Sequence, residues 1–426
     1  MSRWRLTIPP AFEARPMRYY ALGHAAAVLG QWVQYTALGW LVFRLTGSVS
    51  MLGVMGFLLQ IPFLLLGPFS GLVVDRLPRL KLLVAIDVAL AVVSFTLAAL
   101  MWVGTAEIWL FLAAALLHGT LNAFEMPTRQ ALLSRVVGDR SLVPSALGVS
   151  ATIFNAGRLV GPGLAGLALM AVDEGWCFLV SGLTRLVMVG VLIAMNLPRE
   201  ERQSTTGKGK PASTLEGLRV LSSLPAVRYL VPLMATVGFF AVPYLHLLPS
   251  LVADYFGGQS ATYGTLMSAA GLGAMLAAIV LSQQRGTALQ RRLVTLAPLV
   301  LGVALMGLAL SRYFVLSFVL MVIIGGAVMC SANATNVLLQ QSVTDDWRGR
   351  VVGLYAMTFQ GLVPIGTLAS GFIAEMIGIG ATLAINAACV LLATLALGHR
   401  IRNGPNVMAS IGVEPERMPE PRKAPS

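Results

Sequence analysis

One helical face gathers most of this chain's reactive side chains. His118, Asn122, Glu125 and Arg129 follow one another at spacings of four, three and four residues, which puts all of them on the same side of a helix. The stretch around them is strongly apolar, and a charged side chain at the centre of a membrane helix costs at least about 2.5–3.5 kcal/mol. The stripe therefore predicts a water-filled cavity or polar partners on neighbouring helices. Glu125 and His118 are its candidates for proton coupling, since each can take up and release a proton. For His118 two readings stand: proton exchange during a cycle, or a structural imidazole bonded to an adjacent helix.

Other polar residues are isolated in apolar sequence. Arg158 lies beside Asn155, and Arg185 falls in a separate apolar stretch, neither with an acid nearby on its own segment. Asp87 stands at a depth from which it can reach Arg185. Arg158 is left as a cavity residue that would attract an anion. Gln31 and Gln34 share one face, Asn333 and Asn336 another, and Gln360 and Tyr244 complete a candidate ring. Such neutral groups either orient a substrate by hydrogen bonds between apolar walls or hold helices together.

Several chemistries are excluded. Cys177, Cys330 and Cys389 sit on different apolar stretches without metal-ligand or disulfide spacing. The few His, Asp and Glu residues form no nucleophile or metal constellation. Gly207-Lys208-Gly209-Lys210 lacks the spacing and the following hydroxyl of a phosphate loop. No metal, no cofactor and no enzymatic activity are expected.

The elements that must position these residues follow from composition. Hydrophobic residues make up 57% of the chain and charged residues 11%, and mean hydropathy is +0.78. A bilayer allows such a chain to cross it only as helices that satisfy their own backbone groups. The expected spans lie at about 17–43, 49–74, 80–103, 107–127, 141–171 and 176–197, then 228–253, 261–283, 291–311, 314–338, 349–378 and 380–398. This reading is an all-α membrane protein with twelve transmembrane helices in two six-helix bundles. The division is a segment 1–16, a first bundle 17–198, a linker 199–227, a second bundle 228–399 and a disordered tail 400–426.

The net charge of +12 would suggest nucleic acid for a soluble chain. Here it reports topology instead. With the N-terminus inside, all Lys and Arg residues fall on the cytoplasmic side except Arg44 and Arg312 outside and Arg158 and Arg185 within spans. Both termini are thus expected in the cytoplasm of an inner membrane. The first sixteen residues hold Pro9, Pro10, Glu13 and Pro16 and lack the apolar core of a signal peptide.

An internal repeat supports the two halves. A shift of 258 minus 47, or 211 residues, carries Gly47 and Gly53 onto Gly258 and Gly264, and Asn122-Ala123 onto Asn333-Ala334.

Two motifs sharpen the reading. The gap after the second span runs Gly71-Leu72-Val73-Val74-Asp75-Arg76-Leu77-Pro78-Arg79-Leu80-Lys81. It resembles the loop signature of the major facilitator superfamily, with Pro78 in place of the usual glycine and Leu80 separating the basic residues. Asp75 is suited to a helix N-terminus, and Gly71, Asp75, Arg76 and Arg79 with Glu125 and Arg129 form the expected cytoplasmic gate. In the fifth span Gly148, Gly157, Gly161, Pro162 and Gly166 resemble the superfamily's antiporter signature, with Ala165 the one departure. Gly30-Gln31-Trp32, Gln34, Trp40, Leu45-Thr46-Gly47-Ser48, Asn122 through Gln130 and Arg348-Gly349-Arg350-Val351 resemble the branch holding enterobactin and drug exporters.

The resemblance implies a monomeric transporter that exchanges protons for a small amphipathic molecule and exports it. The competing expectations are an importer or uniporter, and a membrane scaffold or sensor that transports nothing.

Overall fold

The computed structural model describes residues 9–105, 107–195, 224–283 and 287–403, all in helices and the short turns between them. The helices are α1 (Arg15–Thr46), α2 (Val49–Arg76), α3 (Arg79–Val103), α4 (Ile108–Val137), α5 (Val143–Ala168) and α6 (Glu174–Ala194). After the undescribed stretch come α7 (Pro225–Thr236), α8 (Tyr244–Phe256), α9 (Ser260–Ser282), α10 (Ala288–Leu310), α11 (Phe314–Gln341), α12 (Asp345–Ile377) and α13 (Ile379–Asn403). Ten candidate spans among the described residues are long and apolar enough to cross a membrane, with α7 and α8 forming one of them. Helices α1 and α5 fall outside this set although they are long enough. They are the helices diluted by His24, Gln31 and Gln34, and by Asn155 and Arg158.

Local sequence explains the boundaries. Helix α1 stops at Gly47, whose φ of 61° suits a residue without Cβ, and Ser48 caps α2 by accepting from Met51 N at 3.3 Å. Helix α4 runs ten residues past the expected boundary at 127, because the helix passes through Pro127 instead of ending there. Between α7 and α8, Pro243 lacks the N–H that would reach back along the ladder. The chain widens into a π-helical segment, Val237–Ala241, in which Val242 N donates to Val237 O at 3.2 Å.

The first six helices pack mainly on each other: α1 on α5 and α6, α2 on α4, and α3 on α4 and α6. Among the later ones α11 packs on α9 and α10, α10 on α13, and α12 on the π segment. Two extensive contacts join the groups, α2 with α12 and α5 with α9. At the first, a Cβ on Gly53 would stand 3.0 Å from Gly371 Cα; at the second, one on Gly264 would stand 3.0 Å from Gly166 N. Gly53 and Gly264 are related by the 211-residue shift read in the sequence, so equivalent positions supply both close approaches.

The expected linker 199–227 lies outside the described residues up to 223, and Pro225–Val227 already belong to α7. Of the segment 1–16 the first eight residues, and of the tail 400–426 everything past 403, also lie outside them.

Candidate functional site

A cavity of about 540 Å³ opens between the two groups of helices. Its wall is mostly apolar and aromatic, including Trp32, Tyr35, Phe63, Phe154 and Met267, with Gln31, Gln60, Asn122, Asn155 and Gln360 spaced among them. Glu125, Arg129, His24 and Ser150 line one part.

Behind that part lies a buried charge cluster. Arg185 Nη1 donates to Asp87 Oδ1 at 2.8 Å and to Glu125 Oε1 at 2.7 Å. Arg129, one turn along α4 from Glu125, donates to the same Glu125 oxygen, and its Nη2 stands 4.0 Å from Asp87 Oδ1. Asp87 and Arg185 are 0% and 1% exposed, so protein partners rather than water compensate their charges. Two carboxylates face two guanidiniums, and the cluster ties α3, α4 and α6 together.

Helices α1 and α5 join through His24. Arg129 Nη1 approaches His24 Nδ1 at 2.8 Å, and a guanidinium can only donate. Nδ1 therefore accepts, the ring proton sits on Nε2, and Nε2 donates to Ser150 Oγ at 3.0 Å. A second proton on His24 would have to occupy Nδ1 and displace Arg129.

The neutral groups divide. Gln31 Nε2 and Asn122 Nδ2 both donate to Tyr35 Oη, at 3.1 and 2.6 Å. Gln34, a candidate for the cavity or for holding helices together, is buried and ties α1 to three other helices: its Oε1 accepts from Ser94 and Ser181, each at 2.7 Å, and its Nε2 meets His118 Nδ1 at 3.4 Å. His118 likewise stays out of the wall. Its ring packs edge-on against Tyr35 with centroids 5.2 Å apart, so the tyrosine stands between it and the cavity.

Gln360 lines the cavity, whereas Tyr244 is buried beside it and Arg158 is half-buried under Trp32. Asn333 and Asn336 are also absent from the wall, because α11 packs on α9 and α10 rather than against the first six helices. Asn336 Oδ1 accepts from Gln340 Nε2 of its own helix at 2.8 Å.

The residues of the expected gate lie on three helices. Gly71, Asp75 and Arg76 are exposed at the end of α2, and Arg79 opens α3. Glu125 and Arg129 of α4 are held by Arg185 and His24, and α4 continues past them through Pro127 to Val137. The glycine stripe of α5 splits as well. Gly157 and Gly161 press on Val28 and Trp32 of α1, while Gly166 and the Pro162 carbonyl meet Gly264 of α9; Gly148 faces open space.

Gln60 and His246 join the wall without belonging to any of the expected polar faces. Gln60 Nε2 donates to His246 Nε2 at 2.8 Å and bridges α2 to α8 across the cavity. Their signal was available: each is the lone strongly polar residue in a long apolar run.

The cavity is sealed at one end. Trp40 of α1 stacks on Tyr263 of α9 with centroids 6.0 Å apart, and Ser260 Oγ of α9 donates to Gly166 O of α5 at 3.1 Å. Glu375 of α12 caps α2: its Oε2 accepts from Ser50 N at 2.9 Å and from Ser48 Oγ at 3.0 Å. An exposed carboxylate at a helix N-terminus contributes about 0.3–1 kcal/mol. Glu375→Gln should therefore speed thiol labelling of a cysteine placed at Met267, in a chain stripped of its native cysteines, by about two- to fivefold. An unchanged labelling rate would mean that Glu375 does not hold this end shut.

This helical fold around a central cavity is that of the membrane transporters of the major facilitator superfamily. A solved bacterial homologue of the human lysosomal transporter Spinster, in an inward-facing and occupied conformation, superimposes with a TM-score of 0.72 at 12% identity, covering 95% of this chain and 99% of that one. Within the superfamily the chain belongs to the family described as transmembrane secretion effectors, whose model matches residues 12–424. It is 24% identical over 389 residues to the staphyloferrin A transporter of Staphylococcus aureus, covering 90% of this chain and 97% of that one. It is 26% identical over 392 residues to the multidrug efflux pump Tap of Mycolicibacterium fortuitum, covering 90% and 95%.

Proposed function

We propose that this chain is a proton-coupled secondary exporter that carries a small amphipathic molecule across an inner membrane by alternating access. In this reading twelve transmembrane helices form two pseudo-symmetric six-helix bundles over residues 17–198 and 228–399, with α7 and α8 as one bent span. Both termini lie in the cytoplasm, and the molecule works as a monomer. The observation that carries the reading is the cavity between the two groups of helices, shut at the Trp40, Tyr263 and Glu375 end and reaching Leu147 and Gln130 at the other. With the basic loops inside, the shut end faces outward, so this state is open to the cytoplasm. Export is supported by a relative named as an efflux pump.

Coupling follows from the charge cluster. Glu125 lines the cavity and neutralises two arginines, so a proton arriving there would loosen α4 from α6. Released Arg129 and His24 would then be free to exchange partners, which ties protonation to movement of α1 and α5. Outward-facing, the proton enters; inward-facing, it leaves and substrate loads.

Everted vesicles test the proposal. Substrate-dependent alkalinisation of an acidified lumen is the expected result across a panel of amphipathic compounds, and its absence from all of them would remove proton-coupled export. In Glu125→Gln the dependence on the pH gradient should be abolished while substrate exchange without a gradient continues. Wild-type gradient dependence in that variant would take Glu125 out of the coupling step.

A further inference from the structure

Beneath the cavity wall three hydrogen-bond donors stand together, and among the described residues none of them is recorded in an ion pair or hydrogen bond with a carboxylate. Trp32 of α1 is 8% exposed, and its indole Nε1 has no hydrogen-bond partner. Tyr244 of α8 is 3% exposed, and its hydroxyl likewise has none. Between them comes Arg158 of α5, with Cζ 5.9 Å from the Trp32 ring centroid. Its guanidinium faces Tyr244 Oη, near enough to act on it by charge and by weak donation, while Oη has no partner in full hydrogen-bond geometry among the described residues. An indole N–H only donates, a guanidinium offers five N–H groups, and the phenol has one proton to give.

The buried carboxylates of the first six helices are engaged elsewhere. Glu125 and Asp87 are held by Arg129 and Arg185, and Glu174 takes Arg44 in a two-bond pair at 2.7 and 2.9 Å. An arginine kept in a membrane protein without an acid is costly unless something anionic or aqueous meets it. Trp32 also forms part of the cavity wall, and Asn155, one turn before Arg158 on α5, lines the same wall. The donor cluster is thus adjacent to the chamber, and its members come from both groups of helices.

We propose that Arg158, Trp32 and Tyr244 form an anion subsite that takes the carboxylate of an aromatic, amphipathic substrate. The proposal rests on the cavity being the substrate chamber. A carboxylate has two oxygens and about four lone-pair directions, enough to satisfy a bidentate guanidinium together with the indole or phenol donor. The aromatic wall of Trp32, Tyr35 and Phe154 would take the ring system of the same molecule. Because Tyr244 belongs to the later helices and Arg158 and Trp32 to the earlier ones, an anion there would be gripped from both sides.

The experiment uses the full-length purified protein and two near-isosteric probes, 2-naphthoate and the neutral 2-naphthamide, with dissociation constants read by calorimetry. The wild type should bind naphthoate about tenfold more tightly than naphthamide. Arg158→Gln should erase that preference while leaving naphthamide affinity unchanged, and Arg158→Lys should restore part of it. Tyr244→Phe, which removes a single donor, should lower naphthoate affinity several-fold without moving naphthamide. Equal binding of the two probes by the wild type, or a preference that survives Arg158→Gln, would overturn the subsite and leave the chamber standing. Binding of neither probe would overturn the subsite together with the chamber beneath it.

Discussion

Replacing Arg185 by alanine is expected to destabilise the folded protein by about 3–5 kcal/mol, the cost of leaving a buried charge without its partner. Arg185 is the only contact of 3 Å or less that holds Asp87 among the described residues, and Asp87 has no water to turn to. Glu125 would keep Arg129, so the damage should centre on Asp87. That gives the prediction a second arm. Adding Asp87→Ala to Arg185→Ala removes the stranded carboxylate and should recover much of the lost stability. Thermal unfolding in detergent reads both, with fluorescence size-exclusion yield as a check. A loss below about 1 kcal/mol, or no recovery in the double variant, would mean that the cluster does not hold α3, α4 and α6 together.

Gly264→Val should prise open the sealed end. A Cβ at Gly264 would overlap the Pro162 carbonyl oxygen and stand 2.8 Å from Gly166 Cα, all of it backbone that cannot swing aside. Overpacking of this kind costs about 1–3 kcal/mol. Here the two groups of helices can escape it by separating at that end. The state sealed beside Trp40 should therefore lose population by about fivefold to a hundredfold, the factors that correspond to that range. Spin-label distances between the α5–α6 turn and the α8–α9 turn would lengthen, and substrate exchange would fall. Unaltered distances in a well-folded variant would show that the seam accommodates the side chain by local adjustment.

Much of this architecture is legible in the residues themselves. Apolar runs and the basic loops place most helices, because lipid leaves the backbone no other way to pair. The Asp87–Arg185 pair was readable from depth alone, since two isolated opposite charges in apolar sequence need one another. The end of α4 was not readable. Spacing put Glu125 and Arg129 on one face, but it could not tell that Pro127 would be absorbed within a continuous helix. For His118, Asn333 and Asn336 periodicity gives a face without saying which neighbour covers it, so cavity and helix-holding roles both stay open in the sequence. Gln60 and His246 escaped for the opposite reason. Each stands alone on its helix, and only their meeting at 2.8 Å makes a pair of them.

The buried charges are unevenly shared. Asp87, Glu125, Arg129, Glu174 and Arg185 all come from α3, α4 and α6, and among the described residues no Asp, Glu, Lys or Arg of α7–α13 is buried. The later helices offer the chamber Val242, Leu245, His246, Tyr263, Met267 and Gln360, groups without a permanent charge. Changes along that side can alter which molecules fit while the buried charges opposite are left intact. A lineage therefore has a wall it can remodel while the Asp87, Glu125, Arg129 and Arg185 cluster stays as it is.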